Sequence, residues 1–259
     1  MMSVPDIFSK NDVAQVGIGT LIIFIAMVLI AAVAASVLIQ TSGTLQQQAQ
    51  STGKQATQEV SSNLVVKSIE GVRGKTSGNL SGNVSLLKIK VGLNVGSSAV
   101  DLNQLVISIT DGVNTNDLLY GYNDKTYGSA MDNFSSSASY DVNLAYLLNG
   151  TQSDPGTNGQ YFFTVQKIRD EDGSFSQGNP IMTTGDLVTI YVSAVSDGDL
   201  SYNEINGISV SGEQKDSNLD IGTRATVSMV LTPEAGATTI AEFVTPSSFG
   251  TKETIALYP

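Results

Sequence analysis

The pattern of apolar and polar residues changes once along the chain, and its first part is dominated by apolar residues. No Asp, Glu, Lys or Arg occurs from Val13 to Gly53, and residues 16–39 are almost wholly apolar. A transmembrane helix needs about 20 apolar residues, and each central Leu, Ile, Phe or Val favours insertion by roughly 0.3–0.6 kcal/mol. The pattern therefore predicts a helix that enters lipid.

A secretory signal peptide and a single-span anchor are the ordinary explanations of such a segment. The apolar stretch of a signal peptide is only about 7–15 residues long, which is shorter than residues 16–39. A plain anchor is followed by a basic or flexible stalk, whereas residues 40–62 contain no proline and are rich in Gln, Ala, Ser and Thr. Neither explanation accounts for the whole segment.

Helical spacing of apolar residues continues beyond this stretch, at Leu38, Leu45, Ala49, Ala56 and Val60. These positions repeat every eleven residues, which keeps them on one stripe of a nearly straight helix. We therefore predict one helix from Gln15 to about Ser62, roughly 70 Å long. The alanines of residues 31–35 leave room for a neighbouring backbone, which favours a bundle of helices over an isolated span.

After about residue 64 the chain consists of short runs rich in Val, Ile, Thr and Tyr, separated by Gly, Asn, Asp and Ser. This is the pattern of an antiparallel β-fold. Strands are predicted at residues 64–70, 84–94, 104–110, 161–168, 187–194, 223–231, 239–244 and 253–257. Polar and turn residues dominate residues 111–159, which are predicted as long loops with a few short strands. The predicted fold class is α+β, with a long N-terminal hydrophobic α-helix and an antiparallel β-sandwich of immunoglobulin-like type.

Composition excludes several classes of function. The formal net charge of −11 disfavours binding to nucleic acid or to anionic lipid headgroups. The absence of Cys and His excludes a thiol nucleophile, a Ser/His/Asp triad, a disulfide and a Cys/His zinc site. Two close carboxylates could serve a glycosidase, but among 24 Asp and Glu some pairs are close by chance, and no Trp is present to stack on a sugar. We do not expect an enzyme.

Two kinds of polar site are predicted outside the helix. Asparagines in N-glycosylation triplets occur at Asn79, Asn83, Asn133 and Asn149, although some triplets arise by chance in a chain rich in Ser and Asn. Oxygen ligands for a cation such as Ca²⁺ are grouped at Asp197, Asp199, Asn203 and Glu204, and a second acidic run covers residues 170–172. The alternative for both acidic runs is a solvated turn.

The segment QVGIGTLIIFIAMVLIAAVAASVLIQTSG, residues 15–43, resembles the N-terminal segment of archaeal flagellins (archaellins). The resemblance continues less closely through residues 45–64 and returns in RATVSMVLTPEAG, residues 224–236. It implies that a hydrophilic leader is removed between Ala14 and Gln15 by a membrane peptidase of the prepilin type. The leader departs from the family pattern, because Lys10-Asn11-Asp12-Val13-Ala14 lacks the usual basic residues followed by Gly.

The resemblance implies a structural subunit of the archaellum, which waits in the membrane as a precursor and then joins an extracellular filament. Its implied partners are copies of itself, paralogous archaellins, the peptidase, and a separate motor and platform that rotate the filament. The implied regions are a leader at residues 1–14, a filament-core helix at 15–62 and an outer β-domain at 63–259. The core residues expected in the helix are Val16, Gly17, Ile18, Gly19, Leu21, Phe24, Ile25, Met27, Leu29, Ala31, Ala35 and Leu38.

The alternative is an adhesive archaeal pilin related to type IV pilins, or a membrane-anchored surface binding module. Bacterial type IV pilins usually carry Glu five residues into the mature chain. The fifth residue counted from Gln15 is Gly19, which favours an archaellin.

Overall fold

The computed structural model describes residues 9–152, 154–210 and 212–258. The chain divides into two compact units, one ending at Ala56 and the other beginning at Thr57. Each unit is organised by its own kind of hydrophobic pattern, helical in the first and alternating in the second.

The first helix, α1, spans Ser9–Ser61 and contains 53 residues, so it is roughly 80 Å long. This confirms the predicted long apolar helix, which begins earlier than expected. The hydroxyls of Thr20, Thr41 and Thr44 donate to backbone carbonyls three residues earlier, at 2.9–3.0 Å. Polar side chains are therefore accommodated in an apolar helix without a solvent partner.

The second unit consists mainly of strands. They are β1 Leu64–Val72, β2 Lys75–Thr76, β3 Asn79–Leu80, β4 Leu86–Leu93, β5 Val100–Asp101, β6 Val106–Thr110, β7 Thr115–Tyr120, β8 Phe162–Arg169, β9 Ile181–Met182, β10 Leu187–Ser193, β11 Glu204–Ile205, β12 Ile208–Ser209, β13 Thr226–Thr232, β14 Thr239–Val244 and β15 Thr254–Tyr258. The helices of this unit are α2 Tyr140–Asn149 and α3 Asn158–Tyr161, and 3-10 turns occur at Leu102–Gln104 and Asp197–Asp199.

Within the described residues, nine strands form one sheet in the order β14-β13-β6-β7-β8-β10-β4-β1-β15. All neighbouring pairs are antiparallel except β7 and β8. The start of β14 lies beside the start of β1, because the Thr239 hydroxyl donates to the Leu64 carbonyl and the Ala237 amide donates to the Ser62 carbonyl. The sheet is therefore curled, and the strands near its two ends meet.

The main hydrophobic core lies inside this curl. Alternate residues of the strands are buried there, as in β13, where Val227, Met229 and Leu231 are buried and the residues between them are half-buried. A second apolar cluster covers part of the outer face, where Leu144 and Leu147 of α2 pack with Phe162. The alternation expected for a sheet with one buried face is thus present, and α2 adds a layer outside it.

All eight predicted strands are present, each within three residues of its predicted bounds. Residues 111–159 were predicted as loops with a few short strands, and β7 is one such strand, but the prediction missed the ten-residue helix α2. The mostly antiparallel β-domain is confirmed. The immunoglobulin-like detail is not confirmed, because the nine strands are continuous in one curled sheet that contains a parallel pair.

Candidate functional site

The surface of α1 is the most unusual feature of the chain. Every Val, Ile, Leu, Phe and Met described from Val16 to Leu45 is exposed, from 49% at Ile25 to 74% at Ile39. Covering such a side chain completely is worth about 1.5–3 kcal/mol, and folded soluble proteins rarely leave a contiguous apolar surface of this size open. Lipid or other protein must therefore cover α1.

The structure places all twelve predicted core residues on this helix, with only Gly19 half-buried and the others exposed. The part of α1 covering Gln15–Thr57 is long and apolar enough to cross a membrane, with a mean hydropathy of 3.1 in its most apolar window. The side chains of Leu29, Ile30, Val33 and Ala34 line a shallow apolar hollow on the helix surface. A side chain of a second helix can occupy such a hollow when helices pack.

The predicted leader junction falls inside α1. The backbone of Ala14 and Gln15 is helical, whereas residues 1–8 of the leader lie outside the described residues. Cleavage between Ala14 and Gln15 stays a prediction.

The four predicted glycosylation asparagines differ in accessibility. Asn79 on β3 and Asn133 in the loop after β7 are exposed. Asn83 is half-buried, and its Nδ2 donates to Oδ1 of Asp220 at 2.8 Å. Asn149, also half-buried, is the last residue of α2. A glycan attaches to the amide nitrogen, so the folded domain offers Asn79 and Asn133 more readily.

The predicted cation ligands near Asp197 are partly engaged with other groups. Asp199 is buried, and its Oδ2 accepts a hydrogen bond from the Ser196 hydroxyl at 3.1 Å. Glu204 forms an ion pair with Nζ of Lys75 at 2.8 Å. Asp197 and Asn203 are exposed. Binding of a cation by this set stays a prediction.

A different set of carboxylates converges in the described part of the chain. Ligand oxygens of Asp170, Asp172 and Asp186 lie within 4.8 Å of one another. The side chain of Asp170 is only 3% exposed, and its Oδ1 is buried with no hydrogen-bond partner among the described residues. Nζ of Lys167, 3.0 Å from Oδ2 of Asp170, neutralises one of these charges. Three converging oxygens with excess negative charge suit a hard cation such as Ca²⁺.

Hydrogen bonds keep the most exposed of these carboxylates ionised. The nearby Ser174 side chain, the Ser174 amide, which donates to Oδ1, and the Thr183 hydroxyl, which donates to Oδ2, together lower the pKa of Asp172 to about 2. The Thr183 hydroxyl lies 3.0 Å from Oδ2 of Asp172 and 3.1 Å from Oδ2 of Asp186. The sequence indicated the run at residues 170–172 but not Asp186, which the turn between β9 and β10 brings beside it.

Comparisons with known proteins agree with this architecture. The sequence model of the archaeal-type flagellin family matches residues 14–243. The chain is 40% identical to flagellin B1 of Methanococcus voltae over 95% of both chains. It is 36% identical to flagellin B2 of Methanocaldococcus jannaschii over 96% of this chain and 97% of the relative.

A solved structure shares the fold. The archaeal flagellum of Methanospirillum hungatei strain JF1 aligns with 94% of this chain and 99% of its own subunit, with a TM-score of 0.51 and 13% identity. An exposed apolar helix followed by a β-domain, together with these relatives, shows that the chain belongs to the archaeal-type flagellin family and is a structural subunit of a filament.

Proposed function

We propose that many copies of this chain form the archaellum by packing α1 into the core of the filament, while the β-domain is displayed outside. The observation that supports the proposal is the exposure of every large apolar side chain of α1 from Val16 to Leu45. In this assembly the helices of neighbouring copies cover that surface. The subunit has no catalytic task, and a separate motor rotates the filament.

Before assembly, the precursor is held in the membrane through the apolar part of α1. A prepilin-type peptidase removes the leader between Ala14 and Gln15, and the mature helix then moves from lipid into the filament. Lipid tails are as apolar as the helix surface, so this transfer gains little from the hydrophobic effect. Close packing of helices and contacts between β-domains must supply the driving force. Paralogous archaellins can occupy the same positions in the filament.

A substitution in the middle of α1 tests the packed core. Ile25→Asp places a carboxylate on the apolar surface, and a charge at the centre of a membrane helix costs roughly 2.5–3.5 kcal/mol. We expect cells that produce this variant to lack filaments in electron micrographs, whereas Ile25→Leu supports normal filaments. Normal filaments from Ile25→Asp would contradict the proposed core.

Deletion of the gene separates the archaellum from the alternative of an adhesive pilin or anchored binding module. We expect the deletion to abolish swimming and rotating filaments. Cells that keep swimming but lose surface attachment would identify an adhesin instead.

Finding Met1 retained on filament subunits would contradict processing of the leader.

We propose that the β-domain carries glycans. They are expected at the exposed Asn79 and Asn133, which mass spectrometry of filament peptides can detect.

We also propose that the β-domain binds a cation such as Ca²⁺. The convergence of their ligand oxygens favours Asp170, Asp172 and Asp186 over the set at Asp197, Asp199, Asn203 and Glu204.

A further inference from the structure

Charged residues on the outer face of the curled sheet are separated by sign. Strands β1 and β4 contain three lysines and one acidic residue, whereas β6, β7, β13 and β14 contain two acidic residues and neither Lys nor Arg. These two groups of strands lie on either side of β8 and β10 in the sheet. The segregation is notable because the whole chain carries a formal charge of −11.

The first group forms what we call the lysine face, defined by Lys67, Glu70, Lys88 and Lys90. Lys88 and Lys90 alternate with the buried residues of β4, so their side chains point out of the curl. Glu70 accepts from Lys90 at 2.6 Å and lies 3.7 Å from Lys88. One carboxylate thus serves two lysines, and this hydrogen-bonded pairing with Lys90 lowers the pKa of Glu70 despite its partial burial.

Lys67 adds a further positive charge to this face. It lies where the register of β1 against β4 shifts, between Val66 and Ser68. A Cβ on Gly92 would come within 3.4 Å of Lys67 Cε, which places the lysine stem over the outer side of β4. The lysine face therefore carries a formal charge of +2 on a strongly acidic domain.

The second group forms the acidic face, defined by Asp117, Val230, Ile240, Glu242 and Val244. Ile240, Val230, Ser108 and Asp117 stand opposite one another in a single row across four strands. Ile240 is 68% exposed and Val244 is 59% exposed, on either side of the exposed Glu242. The face therefore combines a charge of −2 with an open apolar surface.

Within the described part of the chain, no ion pair joins the two faces, since Lys88 and Lys90 pair only with Glu70. Resting on the proposed assembly into a filament, we propose that the lysine face of one subunit binds the acidic face of a second copy. Two different patches that meet between identical subunits make a heterologous contact, which generates an open helical polymer when the rotation does not close. Opposite charges select this pairing, while lysine against lysine and acid against acid are repelled.

Reversal of charge on each face tests the contact. Lys67→Glu with Lys88→Gln changes the lysine face from +2 to −1 and leaves the Glu70–Lys90 pair intact. Asp117→Asn with Glu242→Lys changes the acidic face from −2 to +1 and keeps an acceptor for the Ser108 hydroxyl. Each variant places like charges together, so we expect at least about a tenfold loss of filaments sheared from equal numbers of cells.

The combined variant restores opposite charges and should recover filaments above the level of either parent. A matched control, Lys125→Glu with Lys252→Gln, makes the same change of net charge as the lysine-face variant, but in loops outside both faces, and should keep the wild-type yield. Immunoblots of the membrane fraction show whether each subunit accumulates. Should a variant fail to accumulate, the single substitutions of the exposed Lys67→Glu and Glu242→Lys repeat the test in the same direction.

The outcomes separate this contact from the proposed function. If wild-type cells formed no filaments containing this chain, the proposed archaellum function itself would be contradicted. Normal filaments from wild type and equal yields from the face variants and the control would overturn only the contact between faces. A combined variant no better than its worse parent would also overturn it.

Discussion

The carboxylate of Asp111 joins two segments that are far apart in the sequence. Its Oδ1 accepts hydrogen bonds from the amides of Val113 and Asn114, at 2.8 and 2.7 Å, and its Oδ2 accepts from the amide of Asp220 at 2.9 Å. Burial raises the pKa of Asp111, but the three backbone amides outweigh burial and lower it. The folded domain therefore stabilises the ionised carboxylate of Asp111 more than the unfolded chain does.

Asp111→Ala should lower the free energy of unfolding by about 1–3 kcal/mol near neutral pH, since three amides lose a charged acceptor. Because the pKa is lower in the folded state, this stabilisation is present above the unfolded pKa and is lost as the pH falls towards the folded pKa. Denaturant unfolding of the full chain in detergent, at neutral and acidic pH, measures both effects. Asp124→Ala, in an exposed loop, is the control. A deficit in Asp111→Ala that grew with acidity would contradict the explanation.

Calcium binding distinguishes the two acidic clusters. We expect Ca²⁺ to raise the Tm of the wild type and of Asp197→Asn, but not that of Asp172→Asn, because the converging oxygens are those around Asp172. At a free Ca²⁺ concentration about one hundred times Kd, the stabilisation is about 2.7 kcal/mol. Calorimetry with Ca²⁺ or with EGTA measures it. A rise in Tm that is kept in Asp172→Asn and lost in Asp197→Asn would place the cation at the cluster around Asp197 instead.

These clusters show which part of a polar site can be predicted from the sequence. Acidic residues close in the chain, such as Asp170 and Asp172, are visible directly. Asp186 is not, because a turn of the fold brings it to them. The ion pair of Glu204 with Lys75 could not be predicted either, since the two residues belong to paired strands that are far apart in the sequence. Local spacing thus shows which acidic residues could act as ligands, but not which other residues the fold brings into contact with them.

At the level of elements, α2 is fastened to the outer face of the sheet by its buried leucines. Leu147 is fully buried, whereas Val142 of the same helix is 41% exposed. Leu147→Ala should therefore lower the free energy of unfolding by about 2–5 kcal/mol. Val142→Ala should change it by less than about 1 kcal/mol. Denaturant unfolding of both variants tests this, and equal losses would show that α2 does not pack as described.

Elements with a strong local period were predictable. α1 contains an almost wholly apolar stretch at residues 16–39, and β13 alternates buried and more exposed residues along its whole length. α2 was missed because its leucines, Leu144, Leu147 and Leu148, lie between long polar stretches that favoured loops. The strand order was not predictable, because a pairing such as that of β6 with β13 joins segments more than one hundred residues apart.

For the whole molecule, the net charge is carried by one of the two units. Asp6, Asp12, Lys10 and Lys54 are the charged residues before Thr57 and cancel, so the unit from Thr57 carries the entire formal charge of −11. A filament that displays many copies of this unit concentrates negative charge on its exterior. Repulsion between like-charged units opposes assembly, while contacts between opposite charges at short range favour it.

Salt acts differently on these two forces. The Debye length falls from about 30 Å at 0.01 M to about 8 Å at 0.15 M ionic strength, and partly buried pairs are screened less than separated exposed charges. Screening therefore weakens repulsion between whole domains more than it weakens the proposed contacts between the lysine face and the acidic face of a neighbour. We expect filaments to dissociate at a higher temperature in about 0.15 M NaCl than in about 0.01 M NaCl, as followed by light scattering. Equimolar sucrose, which adds no ions, should not reproduce the rise. A dissociation temperature that fell with NaCl over this range would mean that attraction between charged faces, rather than domain repulsion, dominates the electrostatics of the filament.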